Sequence, residues 1–123
     1  MKEFEIIFYN KPNGSEPAKD FLLSLDKKMR AKVIMLIELL SVNGPDLREP
    51  YSKHISDGIF ELRAKIRSDI SRILYFFVIG KRIIITNGFI KKTAKTPKSE
   101  IELAKKYRND FLNREARQYD EVQ

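Results

Sequence analysis

The side chains best suited to chemistry in this sequence are four basic residues that fall between residues 61 and 98. Two arginines lie within strand-like segments, and two lysines follow the last such segment: Arg63, Arg72, Lys91 and Lys92. Arginine and lysine can neutralise the pentacoordinate phosphorane that forms when a ribose 2′-hydroxyl attacks the adjacent phosphate. This set therefore suits phosphate chemistry on RNA, with no cofactor and no metal ion.

Such a reaction also needs groups that move protons and groups that hold the RNA strand. Glu61 and His54, the only histidine of the chain, are the candidates for proton transfer. The candidates for RNA contact are two further lysines and two aromatic residues that could stack on bases, namely Lys65, Lys95, Tyr75 and Phe89.

Each of these residues also has an ordinary structural interpretation. Arg63 lies on a charged strand face, where cross-strand ion pairs are common. An arginine inside an apolar strand, such as Arg72, must reach a cleft or a partner, and that partner could be Glu61 or Asp69. Loop lysines often serve solubility, and aromatic residues in strands often belong to the core. The alternatives stay open for every residue taken singly.

The distribution of charge favours an anionic partner. The chain carries a formal net charge of +7. Residues 61–98 hold ten Lys and Arg against two carboxylates, whereas the remaining residues hold fourteen against fifteen. The basic excess is thus confined to the segment that contains the candidate residues, as expected of a concentrated phosphate-binding face.

Composition narrows the class of protein further. At 123 residues the chain fits a single domain, 1–123, and without cysteine it has no disulfide. The sequence shows no signal-peptide-like or membrane-spanning apolar stretch, so we expect a soluble protein of a reducing cytoplasm with no membrane partner. Gly-rich phosphate loops and the HExxH and GxSxG motifs are absent, which weakens nucleotide, metal and acyl-transfer chemistries.

Periodicity predicts the elements that position the candidate residues. A strand over residues 4–9 precedes a short helix capped by Ser15 and a second helix capped by Asp26, with a buried stripe on the second. Residues 46–57 form a loop with room for a short strand, and strands follow at 59–66, 70–79 and 82–89. A last helix starts at Thr96, and residues 114–123 form a polar tail that frays or meets a partner.

This order, β-α-α-β-β-β-α, predicts the α+β class. We expect a helical hairpin and a C-terminal helix packed on a mostly antiparallel β-sheet. On residues 59–66 the charged side chains alternate with apolar ones, so one face of that strand packs and the other carries charge.

Three segments carry a resemblance to a known family: residues 59–63 (IFELR), 71–77 (SRILYFF) and 88–97 (GFIKKTAKTP). In this order they resemble the HigB-type, phage-derived toxins of the RelE/ParE toxin-antitoxin superfamily, and the resemblance covers nearly the whole chain. It implies a RelE-like fold and a ribosome-dependent, metal-independent endoribonuclease that cuts mRNA and inhibits translation in the bacterial cytoplasm.

The resemblance also implies roles and partners. Arg63 and Arg72 look like the phosphate-binding and transition-state cations, and Lys91 and Lys92 look like RNA-binding or acid/base residues. The implied partners are the ribosome, mRNA and a HigA-like helix-turn-helix antitoxin, with operator DNA bound only through the toxin-antitoxin complex. Two alternatives stay open: a ParE-like protein that inhibits DNA gyrase by contact, and a non-enzymatic nucleic-acid-binding module.

Overall fold

A computed structural model describes residues 3–90 and 95–122, in which the chain forms five strands and three α-helices. The predicted element order is confirmed, with one short strand added before the long antiparallel ones. In chain order the elements are β1 (Glu5–Phe8), α1 (Pro17–Ser24), α2 (Lys27–Asn43), a 3₁₀ turn (Gly44–Asp46), β2 (Ser52–Ser56), β3 (Ile59–Ile66), β4 (Asp69–Val78), β5 (Arg82–Ile90) and α3 (Lys98–Val122).

All five strands belong to one sheet, in the order β1-β5-β4-β3-β2. The strands from β2 to β5 pair antiparallel with their neighbours, whereas β1 pairs in parallel with β5. The predicted class, α+β with a mostly antiparallel sheet, is therefore confirmed.

One face of the sheet, here called the hairpin face, is covered by α1 and α2. Asp26 caps α2 as predicted, because its Oδ1 accepts a hydrogen bond of 2.9 Å from the backbone N–H of Met29. The predicted cap of α1 is wrong: Glu16 occupies that position without a side-chain bond, and the Ser15 N–H donates instead to Asn13 Oδ1. The core on this face includes the predicted α2 stripe, namely Met29, Val33, Leu36, Ile37 and Leu40.

The opposite face, here called the α3 face, packs against the long C-terminal helix. Tyr9 lies stacked on Tyr107, with 4.6 Å between ring centroids, and its hydroxyl donates to Asp110 Oδ2 at 2.6 Å. Burial and this carboxylate raise the pKa of Tyr9 to about 12. The core on this face also contains Ile59, Leu74, Phe76, Ile84 and Ala104.

The end of α3 differs from the predicted polar tail, because the helix continues to Val122. Arg114 lies 2.9 Å from Asp110 and donates to the carbonyl of Asn10, and Glu115 pairs with Arg82 of β5. The Arg82–Glu115 ion pair and the Arg114 hydrogen bond to Asn10 join this part of the helix to β5 and to the segment after β1. Within the described residues, neither α3 nor any other helix is long and apolar enough to cross a membrane.

A bulge in β5 changes which residues face which layer. Tyr75 of β4 pairs with Ile85, but the preceding Leu74 pairs with Asn87, which leaves Thr86 as an extra residue. The Thr86 hydroxyl donates to the Leu74 carbonyl at 3.1 Å. Beyond the bulge the alternation is reversed, so that Asn87 lies on the α3 face.

The contact between α1 and β5 depends on a glycine. A Cβ added at Gly88 would lie 2.3 Å from Cδ2 of Phe21, well inside van der Waals contact. The ring of Phe21 therefore packs directly on the strand backbone, and α1 is held close to the end of β5.

Candidate active site

The two predicted arginines are brought together by strand pairing. Arg63 of β3 and Arg72 of β4 are direct antiparallel partners, so their side chains leave the same face of the sheet. Glu61 lies two residues before Arg63 and shares that face, because alternate residues of a strand point the same way. Ile59 and Leu74, which occupy matching positions on these strands, pack in the core of the α3 face. The arginines and Glu61 therefore lie under the start of α3.

Glu61 is the centre of this group. Its Oε2 accepts a hydrogen bond of 2.5 Å from Arg63 Nε, and its Oε1 accepts one of 2.5 Å from the hydroxyl of Thr96. Arg72 Nη1 lies 3.7 Å from the same Oε1. Glu61, Arg63, Arg72 and Thr96, called the arginine cluster below, thus join β3, β4 and the residues that lead into α3.

The two arginines differ in their access to solvent. Arg72 is 0% exposed, whereas 27% of the Arg63 side chain is exposed. Burial lowers the pKa of the Arg72 guanidinium from its ordinary value; Glu61 opposes this effect and Arg63 adds to it. Two guanidinium groups against one carboxylate leave the cluster with an excess of positive charge, which suits an anion that approaches Arg63.

The alternative partners considered for Arg72 are resolved by this geometry, since the carboxylate beside it is Glu61. Glu61 itself is 0% exposed and is held by several donors. A carboxylate in this setting fixes the arginines in place, and it has no solvent-facing oxygen from which to exchange a proton with a substrate. The structure thus favours a positioning role for Glu61 over the predicted acid/base role.

Sequence reasoning did not single out two polar residues as site residues, Thr96 within the cluster and Asn87 on the same face of the sheet. Asn87 is 3% exposed and donates to the carbonyl and the Oε1 of Glu100 on α3, at 3.3 and 3.0 Å. Thr96, read from sequence only as a helix start, bonds to Glu61. Asn87 could have been noticed because it is a polar residue within an apolar strand. No feature of the sequence near Thr96 indicates its contact with Glu61.

The remaining RNA-contact candidates are spread over the molecule. Phe89 is paired with Arg72 across β4 and β5 and is partly buried in the α3-face core. Lys65 and Lys95 are exposed, one at the end of β3 and one just before Thr96. Lys91 and Lys92 lie outside the described residues, so their predicted roles stay predictions.

Two candidates lie on the hairpin face and do not join the arginine cluster. Tyr75 is 1% exposed and stacks on Phe60 with 5.6 Å between ring centroids, so its ring cannot receive a base. Burial raises the pKa of Tyr75 to about 12, although its hydrogen bond with the Ser52 hydroxyl opposes the shift. His54 pairs with Phe60 across β2 and β3 and shares its face. The sheet therefore separates both residues from Glu61.

The side chains around the cluster were also compared with the groupings that bind metal ions. In the part of the chain that the structure describes, no three His, Asp or Glu side chains are grouped so that they could hold a metal ion. The carboxylate nearest the arginines is already held by cations and a hydroxyl. The chemistry on offer at this site is that of positive charge and hydrogen-bond donation.

A comparison with models of known protein families gives a match over most of the chain. The profile of the family described as Phage derived protein Gp49-like (DUF891) matches residues 20–109. The chain belongs to this family. The Gp49-like proteins are a RelE/HigB-like toxin family, and the matched range contains the whole arginine cluster as well as Asn87 and Phe89. A comparison with curated proteins finds no match.

Proposed function

We propose that this Gp49-like protein is the toxin of a type II toxin-antitoxin module and cleaves mRNA on the ribosome. The observation that carries the proposal is the arginine cluster: two guanidinium groups are fixed on adjacent strands by one buried carboxylate, with one of them open to solvent. Membership in a RelE/HigB-like toxin family and the confined basic charge support the same reading.

The proposed reaction needs no reactant beyond the RNA strand. The ribose 2′-hydroxyl attacks the adjacent phosphorus, the bond from phosphorus to the 5′-oxygen of the next nucleotide breaks, and the products carry a 2′,3′-cyclic phosphate and a 5′-hydroxyl. One proton leaves the 2′-hydroxyl and one reaches the 5′-oxygen. Between these steps the phosphorane bears extra negative charge, which preorganised cations stabilise more than they stabilise the ground state.

The two arginines have different tasks in this proposal. Arg63, whose side chain is partly exposed, contacts the scissile phosphate, and its bond to Glu61 fixes the direction of its fork. Arg72 is enclosed and acts from behind: it contributes positive potential and holds the second side of Glu61. The charge that acts on the transition state is thus built into the sheet before RNA arrives.

Residues around the cluster are proposed to transfer protons and to bind the RNA strand. Lys91 and Lys92 are proposed as the acid/base or RNA-binding lysines, since they follow β5 directly. Lys65 and Lys95 are proposed to contact the RNA backbone from two sides of the cluster. Lysine serves such contacts as a flexible point charge, whereas the arginines provide fixed geometry.

The proposal includes partners that follow from the toxin class. A HigA-like antitoxin with a helix-turn-helix domain would neutralise the protein, and the complex of the two would bind operator DNA. The site of action is the bacterial cytoplasm, where ribosomes and mRNA meet. The high charge of the 61–98 segment is suited to the ribosomal RNA surface and predicts association that weakens with salt.

A cleavage assay with and without ribosomes tests the proposal. Purified protein is added to a defined mRNA, alone or programmed on ribosomes, and primer extension maps new 5′ ends. We expect ends within codons only when ribosomes are present. Intact mRNA in both reactions would overturn the nuclease proposal. Loss of DNA supercoiling by gyrase in the presence of the protein would then favour the gyrase alternative, and salt-sensitive RNA binding alone the binding-module alternative.

A further inference from the structure

A concave site lies on the hairpin side of the sheet, at the edge formed by β2. It is an open cleft of about 610 Å³. This edge cleft is formed by the segment after the 3₁₀ turn, by β2 and by the start of β3. Its lining residues are Pro45, Leu47, Arg48, Glu49, Ser52, Lys53, His54 and Phe60.

Aromatic side chains form the rigid part of the edge cleft. Phe60 stacks on Tyr75, with 20° between the ring planes, and His54 packs against Phe60 edge to face with 5.1 Å between centroids. Behind them the hydroxyls of Ser52 and Tyr75 share a buried hydrogen bond. The rings of His54 and Phe60 are nearly perpendicular, with 72° between their planes, and the exposed His54 ring offers an aromatic face on which a nucleobase can stack.

The histidine is oriented by the backbone. The N–H of Gly58 donates to His54 Nε2 at 3.1 Å, so this nitrogen is an acceptor and the ring hydrogen of the neutral form resides on Nδ1. The ring therefore combines a fixed stacking position with one hydrogen-bond donor. Such a pair of features can recognise a carbonyl oxygen on the edge of a base.

Two cations at the rim supply charge for a phosphate. Arg48 and Lys53 are both exposed. Lys53 Nζ lies 4.0 Å from Glu49 Oε1, with 51% and 68% of the two side chains exposed, so the ion pair is weak and exchangeable. A backbone phosphate carries one negative charge, as this carboxylate does, and it can take the place of the carboxylate at the lysine because the exposed ion pair is weak.

Strand pairing connects the edge cleft to the arginine cluster. Lys53 is the cross-strand partner of Glu61, so its side chain leaves β2 toward the face that carries Arg63 and Arg72. Lys53 also lines the edge cleft. Because β2 is the edge of the sheet, a strand of RNA can cross from one face to the other at this lysine without obstruction by a further strand among those described.

We propose that the edge cleft binds one nucleotide of a single-stranded RNA, with its base stacked on His54 beside Phe60 and its phosphate on Arg48 and Lys53. The identification of that RNA as the substrate strand rests on the proposed function, but binding itself does not. The cleft would then hold a nucleotide that flanks the cleaved bond and keep the strand in register over the arginine cluster.

The single histidine makes the test direct, because its imidazole gives the only histidine signals in an NMR spectrum of the protein. Uridine 5′-monophosphate and a fully 2′-O-methylated hexauridylate, which lacks the attacking hydroxyl, are titrated into the full chain. We expect both to shift the His54 signals, the hexanucleotide at a concentration at least about tenfold lower. Equal affinity would overturn the RNA-strand assignment in favour of a free nucleotide, and unchanged signals would overturn the site.

Matched variants locate the phosphate contact. Lys53→Ala should weaken hexanucleotide binding about three- to tenfold and reduce the slope of log K against log salt by about 0.7. Lys81→Ala is the control, because Lys81 is also an exposed lysine paired with an exposed glutamate, Glu3, at 3.6 Å, and it lies in the β4–β5 turn. An equal loss in both variants, or in neither, would contradict the proposal.

Failure of this inference and failure of the proposed function give different results. If the protein cleaves mRNA but Lys53→Ala and Arg48→Ala bind the hexanucleotide as tightly as the parent, only the edge cleft is lost. If the variants lose binding but no preparation cleaves mRNA, the cleft stands and the nuclease proposal falls. Where both hold, the two variants should lower kcat/KM in ribosomal cleavage.

Discussion

Both faces of the sheet bury an apolar core, but among the described residues the α3 face alone also buries charge. On β4, Ile73 points to the hairpin face and joins its apolar core, while its neighbour Arg72 points to the α3 face and is just as fully enclosed. Apolar burial is non-directional and depends on area. Buried charge depends on particular partners. The apolar cores of both faces therefore supply stability, and the α3 face adds a fixed positive potential.

The largest expected effect compares these two neighbours. Arg72→Ala should lower the free energy of unfolding by about 3–5 kcal/mol, because it removes one cation from the buried carboxylate of Glu61. Ile73→Ala should cost about 2–5 kcal/mol through loss of packing. Urea denaturation of both variants measures the two values.

A second substitution separates the causes. Glu61→Leu should restore part of the stability of Arg72→Ala, because it removes the buried carboxylate that Arg63 and Thr96 alone then satisfy, and it should not restore Ile73→Ala. If Glu61→Leu changes both variants equally, the two faces do not differ in the way described.

The next effect concerns activity and rests on the proposed nuclease function. Arg63→Ala should reduce the single-turnover rate of ribosomal mRNA cleavage by about 10²–10³-fold, because it removes the exposed cation that faces the phosphorane. The matched control is Arg108→Ala. Arg108 lies on α3, and its Nη2 lies 3.0 Å from Oδ2 of Asp57, so this substitution also breaks an arginine–carboxylate pair. Comparable loss in both variants would mean that general charge, and not the arginine cluster, drives cleavage.

A smaller effect appears at alkaline pH on the hairpin face. The pKa of Tyr75 is raised to about 12 against an ordinary value of 10.0, so the neutral phenol is favoured in the folded state. The contribution of the neutral Tyr75 phenol to the free energy of unfolding is fully present below pH 10. It is lost as pH rises toward 12, which lowers the free energy of unfolding by up to about 2–3 kcal/mol.

Stability curves of the parent and Tyr75→Phe between pH 9 and 12 measure this loss. Tyr9, whose pKa is also about 12, contributes on the α3 face in both proteins, so the variant should retain part of the pH dependence. Identical curves for the two proteins would show that Tyr75 does not contribute to the loss of stability at alkaline pH.

The smallest expected effect tests the link between the cluster and α3. Thr96→Val keeps the shape of the side chain but removes the hydroxyl that donates to Glu61, and should cost about 1.5 kcal/mol in unfolding experiments. Thr96→Ser retains the hydroxyl and should recover most of this loss. A valine variant as stable as the parent would show that the arginines alone satisfy the carboxylate.

Much of the fold follows from local sequence. The stripe of α2, its Asp26 cap and the alternation of β3 are read directly from spacing, because each depends on residues close together in the chain. The pairing of Arg63 with Arg72 depends on a two-residue turn between β3 and β4, one residue shorter than the predicted strand bounds allow. Such features involve one element or two neighbours, where the period of the pattern decides the outcome.

Other features depend on contacts that no local pattern encodes. The alternation of β3 predicts a solvated charged face, but α3 begins over that face and buries Glu61 completely. The bulge at Thr86 reverses the alternation of β5, which brings Asn87 to the α3 face. Within the polar end of α3, Glu115 pairs with Arg82 and Arg114 donates to the Asn10 carbonyl, and composition alone does not reveal these long-range contacts.

The parallel pairing of β1 with β5 has a consequence for the order in which the arginine cluster assembles. Ile6 pairs with Ile83, so β1 has no strand partner until β5, the last described strand, has been made. Contacts of such long range form late, because the intervening chain must first be ordered. The arginine cluster also requires Thr96, which follows β5 in the chain. A nascent chain therefore lacks the assembled cluster until Thr96 has been made, which under the proposed function would delay action on the ribosome that makes it.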